Sequence, residues 1–251
     1  MKIFGYSERG IINSLLYEIN YRPQAKSLFE GFLRLARFPF LDWQPISVLN
    51  LEVLIDQSFS DFGDADAVLL IDTGSEALSI FVEAKVKPFQ KGQWTAEEEF
   101  NKFKAGLESA VSSSNLFTQL YHKVRLVNGL RKGGLDALKK EGINFPRSSS
   151  KRIRKIGSNQ VVLRAVRQLE VYLNRTYYIA IVPDEPVRIE AFFHNVLKNS
   201  APEGYMEWDV SNYGYMCWEE IEPFCAKCGL KNTLGVFAFN KGGIYRSIRE
   251  A

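Results

Sequence analysis

Histidine is nearly missing from this chain: His122 and His194 are its only two. That scarcity argues against a His-rich catalytic metal centre. Cysteine is scarce as well, an odd three residues. Two of them form Cys225-Ala-Lys-Cys228, the spacing of half a zinc site, but no second such pair exists. Cys217 and His194 would have to complete the set, so reduced thiols near a turn are the simpler reading. No apolar run is long enough to cross a bilayer. The opening residues, MKIFGYSERG, lack the apolar core of a secretion signal. The expectation is therefore a cytoplasmic protein with no membrane partner. No phosphate-binding Walker loop, G-x-S-x-G elbow or H-E-x-x-H pair occurs. The net charge of +3 is too small to name a partner. What remains is ordinary for a globular protein: 46% hydrophobic and 24% charged residues, in a length that suits one large domain or two small ones.

The periodicity predicts a sequence of helices and strands. In residues 7–19, SERGIINSLLYEI, positions 11, 12, 15, 16 and 19 form an apolar helical stripe. Ser7 suits the helix start, and Glu8 projects along the buried stripe. Pro23 opens a second helix that stops before Phe38-Pro39. β-formers fill 46–58, and the apolar runs 67–71 and 78–86, separated by the turn signal DTGSEA, predict an antiparallel hairpin. Thr95-Ala-Glu-Glu98 fits a capping box. A helical stripe over 116–127 carries Gln119 and Lys123 one turn apart on its flank. Residues 145–160 read as an exposed loop, 177–186 contains a strong strand, and 214–224 reads as a strand running into a helix. The expected architecture is a single mixed α/β domain over 1–251, with its core in 1–128 and 170–230 and a basic insertion over 129–169.

One strand is out of character. IFVEAKV, residues 80–86, reads as buried, but alternation puts Phe81, Glu83 and Lys85 on one face. Charges are costly to bury without compensation. If Ile71 pairs with Leu78, opposed residues sum to 149, Asp66 falls opposite Glu83 and Asp64 opposite Lys85; a slip of two would instead promote Asp64 or demote both acids. Such residues share a face with Cβ atoms about 4.5–5.5 Å apart. Two carboxylates so placed repel unless a cation lies between them. Hard oxygen ligands suit Mg²⁺ or Mn²⁺, an ion that activates water and neutralises charge on a phosphate. Lys85 would then hold the attacking water or stabilise the charged transition state.

Asp66 followed by Glu83-Ala84-Lys85 at the end of an apolar strand resembles the PD-(D/E)XK nuclease signature of the restriction-endonuclease-like superfamily. Ala65-Asp66 stands where that family often has Pro-Asp. Glu8 resembles the acidic residue that many members carry on a preceding helix. Gln119, in LFTQLYHK, resembles the Gln-bearing helix of RecB-like branches. The resemblance spans about residues 7–127. It implies a restriction-endonuclease-like mixed β-sheet flanked by helices, and metal-dependent phosphodiester hydrolysis. Asp66, Glu83, the Ala84 carbonyl and Glu8 would serve the metal, Lys85 the nucleophilic water, and Gln119 the lysine or a phosphate. The long segment between Lys85 and Gln119 departs from the pattern.

The run Lys151-Arg152-Ile153-Arg154-Lys155 is a cationic patch, a candidate phosphate contact whose binding would be salt-sensitive. Tyr213, Tyr215 and Trp218 suit core packing better than base stacking. The reading that follows is a Mg²⁺- or Mn²⁺-dependent nuclease acting on DNA. Its alternatives are an inactive nucleic-acid- or protein-binding module on the same fold, and an RNA nuclease. A homodimer is compatible with double-strand cleavage, although no heptad or symmetric patch marks one.

Overall fold

The computed structural model describes residues 5, 7–44, 46–86, 94–109, 115–144, 153–198 and 209–241. Five strands build one mixed sheet in the order β1-β2-β3-β6-β7. Three consecutive antiparallel strands, β1 (Asn50–Ser58), β2 (Asp64–Asp72) and β3 (Ala77–Ala84), are followed in space by β6 (Arg175–Val182) and β7 (Tyr213–Cys217). Those last two run parallel to β3. Parallel strands need crossover connections, and the helices between β3 and β7 supply them. A two-stranded ribbon, β4 (Ile143–Asn144) with β5 (Ile153–Arg154), stands apart.

Helices cover both faces of the sheet, which explains why β2, β3 and β6 are apolar on both sides rather than alternating. On one face lie α3 (Ala96–Ser109), α4 (Leu116–Lys140), α5 (Gln160–Glu170) and α6 (Pro186–Phe192). They enclose Val68, Leu70, Phe81, Tyr178 and Tyr213. On the other lie α1 (Ser7–Asn20), α2 (Ala25–Leu33), α7 (Trp218–Lys227) and α8 (Lys231–Phe239), packed on Leu69, Ile80, Val82, Ile179 and Met216. The mixed α/β sheet flanked by helices expected from the sequence is thus present.

Local chemistry fixes the elements. The Thr95 hydroxyl accepts from Glu98 N at 3.1 Å and starts α3, and Asn115 accepts from Thr118 N at 2.8 Å to start α4. Glu18 on α1 is buried and accepts the Thr233 amide and hydroxyl at 2.8 and 2.9 Å, so one helix caps the start of another. α4 breaks at Gly134, whose φ of 68° favours glycine.

The segment expected as an insertion shares the main core. Val162, Leu163, Val166 and Leu169 of α5 pack with Leu126, Leu130 and Leu138 of α4, and Gln168 bonds Glu52 on β1. Tyr213, Tyr215 and Trp218 are buried, with no face for stacking on bases. A four-member zinc set does not assemble: Cys217 and Cys225 belong to separate cores, and His194 bonds Glu190 and rests on Phe40. Burial pushes the Cys225 thiol up to about 12, which fits an inert structural cysteine. Among the described residues, no helix is long and apolar enough to cross a membrane.

Candidate active site

The β2–β3 register is the one that brings the two acids together. Ile71 pairs with Leu78, and every opposed pair down to Ala67 with Val82 sums to 149. One step further, Asp66 and Glu83 would face each other, but the ladder ends there. On the other side the β1–β2 ladder runs from Ile55–Ala67 to Gln57–Ala65 and skips the Asp56–Asp66 rung. Asp56 has a φ of 49° at this break, a conformation that Asp tolerates better than most residues. Asp66 is therefore freed from regular pairing on both sides. Its Oδ2 accepts the Ala84 N–H at 2.7 Å, replacing the missing ladder bond with a side-chain bond. The N–H and C=O of one strand residue point toward the same edge, so the Ala84 carbonyl opens on the same gap.

Both acids are buried: Asp66 is 5% exposed and Glu83 is 0% exposed. Burial raises the Asp66 carboxyl above its usual range, against the Ala84 amide, Lys85 and Arg9, while Glu8 adds to the rise. Burial pushes Glu83 up to about 7, opposed by Lys123 and Lys85 and reinforced by Asp66. These mutual effects put Glu8, Asp66, Glu83 and Lys85 within electrostatic reach of one another. Glu8 sits half-buried in the first turn of α1.

Lys85 follows directly on β3. Its backbone is pinned on both sides, since its N–H donates to Ile181 O at 2.8 Å and its carbonyl accepts from Trp218 Nε1 at 2.8 Å. The side chain is half-buried, so an amine tethered to a fixed backbone stands at the rim of a buried acid pair.

Two further cations reach the acids, and sequence reasoning did not assign them there. Arg9 Nε lies 3.5 Å from Asp66 Oδ1 and 3.4 Å from Asp56 Oδ1. Nothing in the sequence distinguishes Arg9 from any polar residue in a first helical turn. Lys123 is fully buried and lies 3.4 Å from Glu83 Oε1, an ion pair rather than a well-formed hydrogen bond. Its spacing from Gln119 was the available signal, and Gln119 does sit one turn earlier with its Oε1 buried and without a hydrogen-bond partner. That is an orphaned acceptor rather than a shown contact to Lys85.

The basic run is only partly described: Lys151 and Arg152 lie outside the described residues. Arg154 and Lys155 donate to carbonyls of their own chain, Arg154 to Asp61 O and Lys155 Nζ to Lys140 O. Both head groups thus hold the ribbon against its neighbours. A groove of about 530 Å³ between α1, α2 and β1 is lined by Leu16, Phe29, Val53 and Ile55; none of the candidate residues lines it.

The donor set fits a hard divalent cation. Neither Glu83 oxygen has a hydrogen bond despite complete burial; its one ion pair, to Lys123 at 3.4 Å, leaves acceptor capacity that a further cation or a proton would satisfy. Asp66 Oδ1 has, among the described residues, only its long contact with Arg9. Among the described residues, no group of three or more His, Cys, Asp or Glu side chains converges. An ion here would therefore rest on Asp66, Glu83, the Ala84 carbonyl and water. No family model, curated protein or solved structure matches this chain.

His122, next to Lys123, yields a pH prediction. Burial, then Arg154 and Lys123, hold its imidazole down at about 3 rather than 6.5. Between these values the unfolded chain takes up a proton that the fold refuses, so stability is full above about 6.5 and is lost as pH falls toward 3. Urea unfolding of His122→Gln, which removes this group, should show a shallower loss between pH 6.5 and 4 than the wild type. An identical pH slope in both proteins rules out His122 as a source.

Proposed function

We propose that the chain is a divalent-metal-dependent nuclease of restriction-endonuclease-like type, acting on the phosphodiester bonds of DNA. The observation that carries this reading is the buried Glu83 carboxylate, without hydrogen bonds, beside Asp66 at the point where β2 and β3 part. Asp66, Glu83 and the Ala84 carbonyl would hold Mg²⁺ or Mn²⁺, and Glu8 would serve a second ion or a bound water. When bound, such an ion lowers the pKa of a coordinated water and neutralises charge on the phosphate. Lys85, fixed by its backbone at the rim, orients the attacking water and stabilises the negative charge that builds on the scissile group. Gln119 offers a further polar contact from α4.

A rival reading has a specific observation behind it. Arg9 pairs with Asp66 and Lys123 with Glu83, so each acid already has a protein cation, as in a binding module that uses these charges for structure. Titration with Mn²⁺ or Mg²⁺ separates the two. An enzyme site gains stability from the ion: about 2.7 kcal/mol at a hundredfold excess over Kd, or about 5–10 °C in a chain of this size. Asp66→Asn removes the gain. A thermal midpoint that ignores the ion, or a gain that survives in Asp66→Asn, defeats the proposal. Plasmid, linear duplex, single-stranded DNA and RNA, each with and without Mn²⁺, then identify the substrate.

A further inference from the structure

We propose that Lys123 is a positioning residue of this site, holding Glu83 in the orientation that presents its carboxylate toward Asp66. The inference rests on the metal-site reading above and assigns a second lysine a role distinct from that of Lys85.

A fully buried ammonium must satisfy three donors. Lys123 Nζ donates to the Phe62 carbonyl at 3.0 Å and the Asp64 carbonyl at 2.8 Å, and its charge faces Glu83 Oε1 at 3.4 Å as an ion pair. The first two acceptors flank Gly63, whose φ of 76° turns the chain so that both carbonyls meet one amine. The loop is itself anchored from outside. Lys155 N donates to Asp61 Oδ2 at 3.0 Å and Gly157 N to Ser60 Oγ at 2.9 Å, while Arg154 donates to the Asp61 carbonyl. The amine is thus fixed by a loop that cannot drift independently of the ribbon, and it takes hold of one Glu83 oxygen. The other, Oε2, has neither a hydrogen bond nor an ion pair among the described residues. One tethered oxygen and one open oxygen is the arrangement that aims a carboxylate. Lys85 does not have this role: it is half-buried and lies just past the end of the strand that carries Glu83.

The test uses Lys123→Gln, which keeps N–H donors for the two carbonyls but removes the ion pair, and Lys123→Met, which removes both. Groups that orient a metal ligand typically contribute roughly ten- to a hundredfold in affinity. Mn²⁺ binding to the full chain by calorimetry should therefore weaken roughly ten- to a hundredfold in both variants. Cleavage should recover at least in part at saturating Mn²⁺, with an unchanged KM for DNA. A merely structural lysine would lower the melting point without moving the Mn²⁺ requirement. Wild-type Mn²⁺ affinity in folded Lys123→Gln overturns the proposal. If both single variants fail to fold, Glu83→Gln/Lys123→Met replaces them: direct pairing requires the fold to return once neither charge is left alone, and continued failure counts against it. The two levels fail separately. A wild-type chain that binds no Mn²⁺ removes the site reading and this proposal with it. Binding that Asp66→Asn abolishes and both Lys123 variants leave intact removes this proposal alone.

Discussion

Lys85→Ala should lower Mg²⁺-dependent DNA cleavage by roughly 10²–10⁴-fold, the range associated with a positioned proton-transfer or charge-stabilising group, and Asp66→Asn and Glu83→Gln should leave no metal-dependent cleavage. The structure explains why the three proteins stay folded. An Asn at position 66 still offers an oxygen to the Ala84 N–H, which now donates to Asp66 Oδ2. A Gln at position 83 fills the same volume in the core. Lys85 makes its structural contacts through its backbone, to Ile181 and Trp218, and truncation leaves both in place. Circular dichroism and unfolding midpoints in EDTA check the fold, and plasmid nicking in Mg²⁺ checks the activity. Substantial cleavage by any of the three folded variants would remove the catalytic account, because each removes a different part: a ligand on one strand, a ligand on the next, and the amine at the rim.

The sequence carried the sheet better than it carried the site. Placing Ile71 opposite Leu78 across the six-residue spacer 72–77 was an assumption that the structure bears out: alternation excludes a slip of one, which would turn Phe81 and Val68 out of the core, but not a slip of two. That register in turn placed Asp66 and Glu83 at the same level. What no local pattern contained was the break in pairing beyond Ala67. On the β1 side it coincides with Asp56, opposite Asp66, adopting a positive φ and dropping its rung of the ladder; on the β3 side the ladder ends at Ala67–Val82. Lys123 was hidden for a different reason. On a helical wheel it shares the polar flank with Gln119, and a lysine on a flank reads as solvated. Only the tertiary approach of the loop 59–64, turned at Gly63, makes that flank an interior position. In the basic run, clustered charge pointed to an outside partner; in the fold, Arg154 and Lys155 also have carbonyl acceptors inside the chain.

The buried pair should also respond asymmetrically to loss of either partner. Removing one member of a buried ion pair commonly costs about 3–5 kcal/mol, because the other is left uncompensated, and Lys123→Met should lie in that range, a large share of a typical domain's stability. It strands the Phe62 and Asp64 carbonyls and leaves Glu83, at 0% exposure, beside the like charge of Asp66. Glu83→Gln removes a charge from the same pair with a different balance. Lys123 keeps both carbonyls and the favourable fields of Asp64 and Asp66, and the repulsion between the two acids disappears. Its loss should stay within about 1 kcal/mol, near the net value of a single hydrogen bond. Urea unfolding of both variants in EDTA measures the difference. Equal losses would mean that Glu83 and Lys123 depend on each other alone, and that the crowding of two acids at the β2–β3 fork has no energetic weight. A large gap in the stated direction means that the fold holds Glu83 in place against repulsion from Asp66, with Lys123 as the restraint, which is the condition under which an added divalent cation has most to relieve.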